Sequence, residues 1–220
     1  MVVEPFTREL ANSAPNAFVD DVVLHALRAT AIIVGYDFTY GTRATGTTDA
    51  LRAHGNRAGI EVDVMKAVEC GGEVASSTRI RAHLRAGNLA AAERLLGRRW
   101  DVDGVVVHGA KRGRTIGVPT ANIQPHGDLP IAGGIYAVTL RVDRDGQDLP
   151  AVASLGTNPT FVEGGAQTLE VHVLDWDGDL YGRDVRTTFV GRLRDEAKFD
   201  SIGALVTQIN TDIADARRLF

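Results

Sequence analysis

Gly134-Ile-Tyr-Ala-Val-Thr-Leu-Arg-Val142, Asp143-Arg-Asp-Gly146 and Ala151-Val-Ala-Ser-Leu-Gly156 are the stretches on which the fold turns. The outer two are β-branched and apolar with the length of strands, and the middle one is a cluster of turn formers. The same texture extends on both sides. Gly104–His108, Thr168–Leu174 and Val185–Leu193 read as further strands, and Asp175-Trp-Asp-Gly178 as another turn. Short strands of even spacing predict an antiparallel barrel or sandwich from about Val105 onward. After it, Ile202, Leu205, Ile209, Ile213, Ala216 and Leu219 recur at helical spacing, so one amphipathic helix closes the chain.

Upstream of Trp100 the texture differs. Phe18, Val22, Leu24, His25 and Leu27 follow Pro15 at roughly helical spacing, and Thr30–Gly35 reads as a buried strand. Thr47 to Asn56 reads as a helix with Thr47 or Thr48 as N-cap and Gly55 near its end, and Ile60–Met65 alternates like a strand. Ser77 is expected to cap a helix through Arg85, closed by Gly87-Asn88, with another helix over Leu89–Leu96. Strand, helix, strand, helix implies a parallel α/β sheet. The fold class is therefore α/β plus all-β: residues 1–82 as an α/β segment, 83–98 as a helical linker, and 99–220 as the β domain.

With 220 residues, the chain is long enough for one large or two small cores, and 24 Gly, 7 Pro and 24% charged residues exclude disordered and collagen-like classes. A formal charge of −4 argues against a broad nucleic-acid or anionic-membrane footprint. Cys70 alone forms neither an internal disulfide nor a Cys-rich zinc site, which suits a reducing compartment. No apolar run approaches a membrane span and Met1-Val-Val-Glu-Pro5 is not a signal peptide, so a cytoplasmic protein is expected.

Three segments carry chemistry. In Val107–Asn122, Gly109, Gly113 and Gly117 let the backbone approach a phosphate closely, and Lys111, Arg112 and Arg114 bring positive charge. It is not a Walker loop, because no Gly-Lys-Ser/Thr follows at the required spacing. Thr120 and Asn122, two apart, point their oxygens to one side of an extended chain, and neutral oxygens beside phosphate suit Mg²⁺. The alternative is a basic turn before a polar strand start. In Thr168-Leu-Glu-Val-His-Val-Leu174, the alternation leaves Thr168, Glu170 and His172 on one face. Glu170 there is either a general base toward a substrate hydroxyl or one member of a solvent-facing row. Gly191-Arg-Leu-Arg-Asp-Glu-Ala-Lys-Phe199 is a solvated connector, or an arginine fork for a planar polar ring or a phosphate.

In this order the segments resemble the riboflavin kinase module of the prokaryotic bifunctional riboflavin kinase/FAD synthetase family. The matching stretches are Gly-Arg-Thr-Ile-Gly-Val-Pro-Thr-Ala-Asn (113–122), Gly-Gly-Ile-Tyr-Ala (133–137), Ser-Leu-Gly-Thr-Asn-Pro-Thr-Phe (154–161), Leu-Glu-Val-His (169–172), Asp-Leu-Tyr-Gly (179–182) and Leu-Arg-Asp-Glu-Ala-Lys-Phe (193–199). Val118 stands where the family often has Phe. The resemblance implies a six-stranded Greek-key β-barrel with a C-terminal helix. It places Gly109 and Arg114 along the ATP phosphates, Thr120 and Asn122 on Mg²⁺ and the β/γ-phosphates, Glu170 as catalytic base and Arg194 on the flavin side. ATP is the implied co-substrate, riboflavin, FMN and ADP the other partners, with neither nucleic acid nor membrane.

Pro5-Phe-Thr-Arg-Glu-Leu-Ala11, Val34-Gly-Tyr-Asp-Phe-Thr-Tyr-Gly41 and Ser76-Ser-Thr-Arg-Ile-Arg81 resemble the second half of the same family's FMN adenylyltransferase module, a partial Rossmann-like nucleotidyltransferase piece. There the resemblance places Asp37 and Phe38 near flavin, and Ser77, Thr78 and Arg81 at a helix N-terminus holding ATP phosphates. The family's His-x-Gly-His signature is absent from these residues, and His25, His54 and His83 have no partner at that spacing. The expectation is a vestigial adenylyltransferase part, FMN made with little FAD, and a bare sheet edge in residues 1–82 that packs loosely or self-associates. Two alternatives stand beside the kinase: the full bifunctional enzyme, and a non-catalytic flavin- or nucleotide-binding module, which would have no need of a base.

Overall fold

A computed structural model describes residues 2–109, 112–157 and 167–220. Lys111, Asn158, Pro159, Thr160 and Phe161 of the quoted motifs lie outside the described residues. The chain divides into two compact units, Met1–Val68 and Glu69–Phe220.

The first unit opens with α1 (Arg8–Ala11), capped by the Thr7 hydroxyl, and α2 (Pro15–Ala17), which runs on as a π-helical stretch over Phe18–Ala26. Strands β1 (Ala31–Gly35) and β2 (Glu61–Met65) pair in parallel, with Ile32 opposite Val62 and Val34 opposite Val64. Helix α3 (Thr48–Ala58) connects them, and the Thr47 hydroxyl accepts the Ala50 N–H as its N-cap. Expected near the end of this helix, Gly55 lies inside it; the helix runs to Ala58 and is closed by Gly59 in the left-handed region. Gly55 is there for closeness, since a Cβ would fall on Val62 of β2. Val19, Tyr40 and Leu51 form a small core with Ile32 and Val34, while Ile33 on the opposite face of the sheet is 71% exposed.

The second unit begins with a short hairpin, β3 (Glu69–Cys70) and β4 (Glu73–Val74), too brief for alternation to reveal. Helix α4 (Ser77–Arg85) is capped by Ser76, whose hydroxyl accepts the Arg79 N–H, rather than by Ser77 as expected. The reason is conformational: a cap needs extended φ/ψ, which Ser76 has at −148°/151°, whereas Ser77 is already helical. Asn88 caps α5 (Leu89–Leu96), and Leu84 and Ala92 of these helices belong to the barrel's core.

The barrel strands are β5 (Asp101–Val107), β6 (Ala121–Pro125), β7 (Gly134–Val142), β8 (Asp148–Thr157), β9 (Gln167–Val173) and β10 (Asp184–Arg194), with the one-turn helix α6 (Arg112–Thr115) between β5 and β6. They close in the order β10-β5-β6-β9-β8-β7, with antiparallel neighbours. β7, β8 and β9 form a meander and β10 returns beside β7, which is the Greek-key arrangement. Val106, Ile123, Tyr136, Val138, Leu155, Leu169 and Val171 point inward and are buried.

The outer face of β7 and β8 is buried too. Helix α7 (Ile202–Arg217), capped by Ser201, lays Ile213 and Ala216 on Ile135, Ala137 and Val152. Ile202 and Leu219, expected in its apolar stripe, are 68% and 47% exposed because they sit at or beyond the helix ends.

Candidate active site

The residues of interest lie on the outside of the barrel. Asn122 of β6 stands opposite Glu170 of β9, Glu170 opposite Ser154 of β8, Ser154 opposite Ile135 of β7, and Ile135 opposite Arg194 of β10. Each has inward-pointing neighbours, such as Ile123, Leu169 and Leu155, so the row faces away from the barrel core. A cavity of about 310 Å³ lies over this row from Glu170 to Arg194; Glu170, Ser154, Ile135 and Arg194 line it together with Thr120 and apolar residues including Phe199 and Ile209.

Thr120 lies one residue before β6. Its hydroxyl donates to Glu170 Oε2 at 3.0 Å. One proton satisfies one carboxylate oxygen, leaving Oε1 and the Thr120 lone pairs for other partners. Gly109 lies against Asn122, and a Cβ there would fall on the Asn122 side-chain amide. Gly113 lies against the Val118 carbonyl with the Thr120 hydroxyl nearby, so the loop packs back on itself through its glycines.

A second cavity of about 410 Å³ opens beside the first, lined by Arg114, Thr120, Val173, Trp176, Leu180 and Tyr181 among others. Thr120 thus walls both.

Arg194 donates through Nε and Nη2 to the two carboxylate oxygens of Asp212 on α7, both at 2.8 Å, and through Nη1 to the Asp195 carbonyl at 2.9 Å. Gln208 donates to the same carboxylate at 3.0 Å. Asp212 is 4% exposed, so this fork is a half-buried ion pair that orients the guanidinium beneath the Phe199 ring, 5.7 Å from its centroid.

The structure therefore gathers Gly109, Arg114, Thr120, Asn122, Glu170 and Arg194 at one side of the barrel. The other sequence candidates line neither cavity. Asp37 is exposed after β1, and Phe38 stacks on Tyr40 at 5.6 Å within the small core of the first unit. Ser77, Thr78 and Arg81 are exposed on α4 in the second unit, where Ser77 and Arg81 border a groove with the 126–130 loop. Sequence reasoning missed Ser154 and Ile135, whose place in the row depends on register, and it missed Asp212. A signal for Asp212 existed: between Ile209 and Ala216 it occupies a core position of α7, where an acid needs a partner. Among the described residues no group of three or more His, Cys, Asp or Glu could hold a metal by itself, and no helix is long and apolar enough to cross a membrane.

The closed Greek-key barrel with its C-terminal helix is a flavokinase-type domain, and the riboflavin kinase family model matches residues 96–220. The FAD synthetase family model matches residues 1–79. The bifunctional riboflavin kinase/FMN adenylyltransferase of Pseudomonas fluorescens is 41% identical over 97% of this chain and 68% of its own length. That of Escherichia coli strain K12 is 38% identical over 98% of this chain and 68% of its own. A crystal structure described as a macrolide-efflux protein from Streptococcus pneumoniae superimposes with a TM-score of 0.82 at 36% identity, covering 96% of this chain and 67% of that one. The chain belongs to the bifunctional riboflavin kinase/FMN adenylyltransferase family, and its C-terminal part is the riboflavin kinase domain.

Proposed function

We propose that this chain transfers the γ-phosphoryl group of ATP to the terminal ribityl hydroxyl of riboflavin, giving FMN and ADP. The observation that carries the reading is the Thr120–Glu170 hydrogen bond, made at a residue that walls both cavities. Aromatic Trp176 and Tyr181 with cationic Arg114 suit the second cavity to a nucleoside polyphosphate. The apolar walls of the first suit a planar ring system, with Arg194 at its edge and the sugar-alcohol chain directed toward Glu170.

In that arrangement Oε1 of Glu170 accepts the hydroxyl proton as the alcohol oxygen bonds to the γ-phosphorus and the bond to the β–γ bridging oxygen breaks. Phosphoryl transfer asks little covalent chemistry of the protein, so alignment across the Thr120 wall is the main contribution. Thr120 Oγ1 and the Asn122 amide oxygen are neutral hard donors, and a set of this kind fits Mg²⁺ that arrives with phosphate ligands of its own. Mg²⁺ held there would neutralise charge on the β- and γ-phosphates. Gly109 would let the loop backbone approach those phosphates. A phosphoryl donor of this kind and the single Cys70 accord with the cytoplasm.

The test is to incubate the protein with riboflavin, ATP and Mg²⁺ and to separate FMN from FAD by chromatography. FMN should form only with all three present; its absence would sink the reading. Glu170→Gln should retain riboflavin binding and lose about a hundredfold or more in kcat, the usual weight of a general base. Adenylyl transfer to FMN is a second reading, favoured by the family match over residues 1–79. The same chromatogram reads FAD beside FMN, so one incubation measures both activities.

A further inference from the structure

Strands β6 and β9 pair from Ile123 opposite Leu169 to Ala121 opposite Val171, and there the ladder stops. Beyond it come Thr120 on one strand and His172 on the other. The residue before Thr120 is Pro119, which has no N–H with which to continue the ladder. Side-chain contact takes over at this point: His172 Nδ1 lies 2.8 Å from the Pro119 carbonyl oxygen. A carbonyl only accepts, so Nδ1 carries the hydrogen and donates it.

Two residues earlier on the same face of β9, Glu170 holds the Thr120 hydroxyl at 3.0 Å. The dipeptide Pro119-Thr120 is thus pinned twice by one strand, on its backbone by His172 and on its side chain by Glu170. We propose that His172 is a positioning residue: it holds the end of β6 against β9 so that the Thr120 oxygen keeps its place between Glu170 and the nucleotide. The proposal rests on the phosphoryl-transfer reading for its consequence in catalysis, while the clamp itself is a property of the protein alone. Without the imidazole, the backbone before Ala121 would lose its tie to β9, and the Thr120–Glu170 hydrogen bond would alone hold the donor against the freedom of the loop. Nothing in the Thr168-Glu170-His172 alternation distinguishes this role from an ordinary outward row, because the acceptor is a backbone atom 53 residues away.

The first readout needs no substrate. Nitrogen-15 spectra of histidine-labelled full-length protein at pH 8, with His172 assigned by its loss in His172→Asn, should show Nδ1 protonated and Nε2 bare. A ring protonated at Nε2 and bare at Nδ1 would overturn the clamp. The second readout is kinetic. His172→Ala should lower kcat about tenfold, the weight of one hydrogen bond, and raise the Mg²⁺ concentration needed for half-maximal rate. His172→Asn, whose amide N–H reaches close to the position of Nδ1, should restore most of both. A variant pair equally impaired, or a His172→Ala protein with unchanged kcat and Mg²⁺ dependence, would overturn the positioning role. Should the unaltered chain make no FMN at all, the kinase reading falls, and the tautomer alone decides the clamp.

Discussion

Glu170 and Thr120 come together across 50 residues of sequence, and each is unremarkable in its own segment. The carboxylate is held on a paired strand and the hydroxyl at the end of another, so in the proposed reaction both would meet the substrate with little side-chain freedom left to lose. Gly109 makes the same point from the backbone side. Its lack of a Cβ is what permits contact with Asn122, and Gly109→Ala would force that amide aside. Displacing one group by this kind of overpacking costs about 1–3 kcal/mol, so kcat/KM for ATP should fall about tenfold or more. KM for riboflavin should change little, because neither Gly109 nor the Asn122 amide it would displace lines the first cavity, and both belong to the proposed phosphate and Mg²⁺ side. Steady-state kinetics with each substrate varied in turn would check both.

Among the elements, α7 decides whether the outer row is an open surface or a cavity. It is fixed by apolar contact with β7 and β8 and by the fork between Arg194 and Asp212. Removing one partner of a buried pair leaves the other charge uncompensated, a loss of about 3–5 kcal/mol when burial is complete. Arg194 retains 22% exposure, so Asp212→Ala should destabilise the domain by about 2–3 kcal/mol, measured by urea unfolding. Riboflavin affinity should fall as well, since Ile209 and Ile213 of the same helix line the cavity. The helix was legible from its 3.6-residue period, whereas β6 was not. Ala121-Asn-Ile-Gln-Pro125 buries only Ile123 fully, and its outward Asn122 and Gln124 are polar, so no apolar alternation marks the strand.

Over the whole molecule, the second unit is laced by arginine–carboxylate pairs outside its core. Arg186 holds the Asp103 carboxyl below the usual carboxylate range, Arg183 does the same to Asp143, and Arg217 to Asp175, chiefly through hydrogen bonds; His83 does so for Glu73. A carboxyl whose pKa is depressed on folding contributes stability that is complete above its unfolded value, near 4, and lost as pH falls through the folded value. Thermal stability should therefore be flat on this account above about pH 5 and drop progressively below about pH 4. Asp103→Asn should make the acid limb shallower. Raised salt should weaken the same contribution, since the pairs are exposed. Melting curves across pH 3–7 at two ionic strengths would measure it.

By itself the sequence determined which segments are strands or helices and which side chains alternate outward. Gly134–Val142 announces a strand because its β-branched and apolar side chains fit a pleated, half-buried surface, and Glu170 announces itself as outward because Leu169 and Val171 must go in. The six quoted stretches also carried the family. What tertiary structure alone decided is which outward residue meets which. Asn122, Glu170, Ser154, Ile135 and Arg194 form one row only in the observed register, and a shift of one residue in any strand would turn its member into the barrel core. That register is set by pairing and packing between segments far apart in the chain, so no local pattern encodes it. The cap at Ser76, the fork at Asp212 and the clamp at His172 depend on three-dimensional placement in the same way.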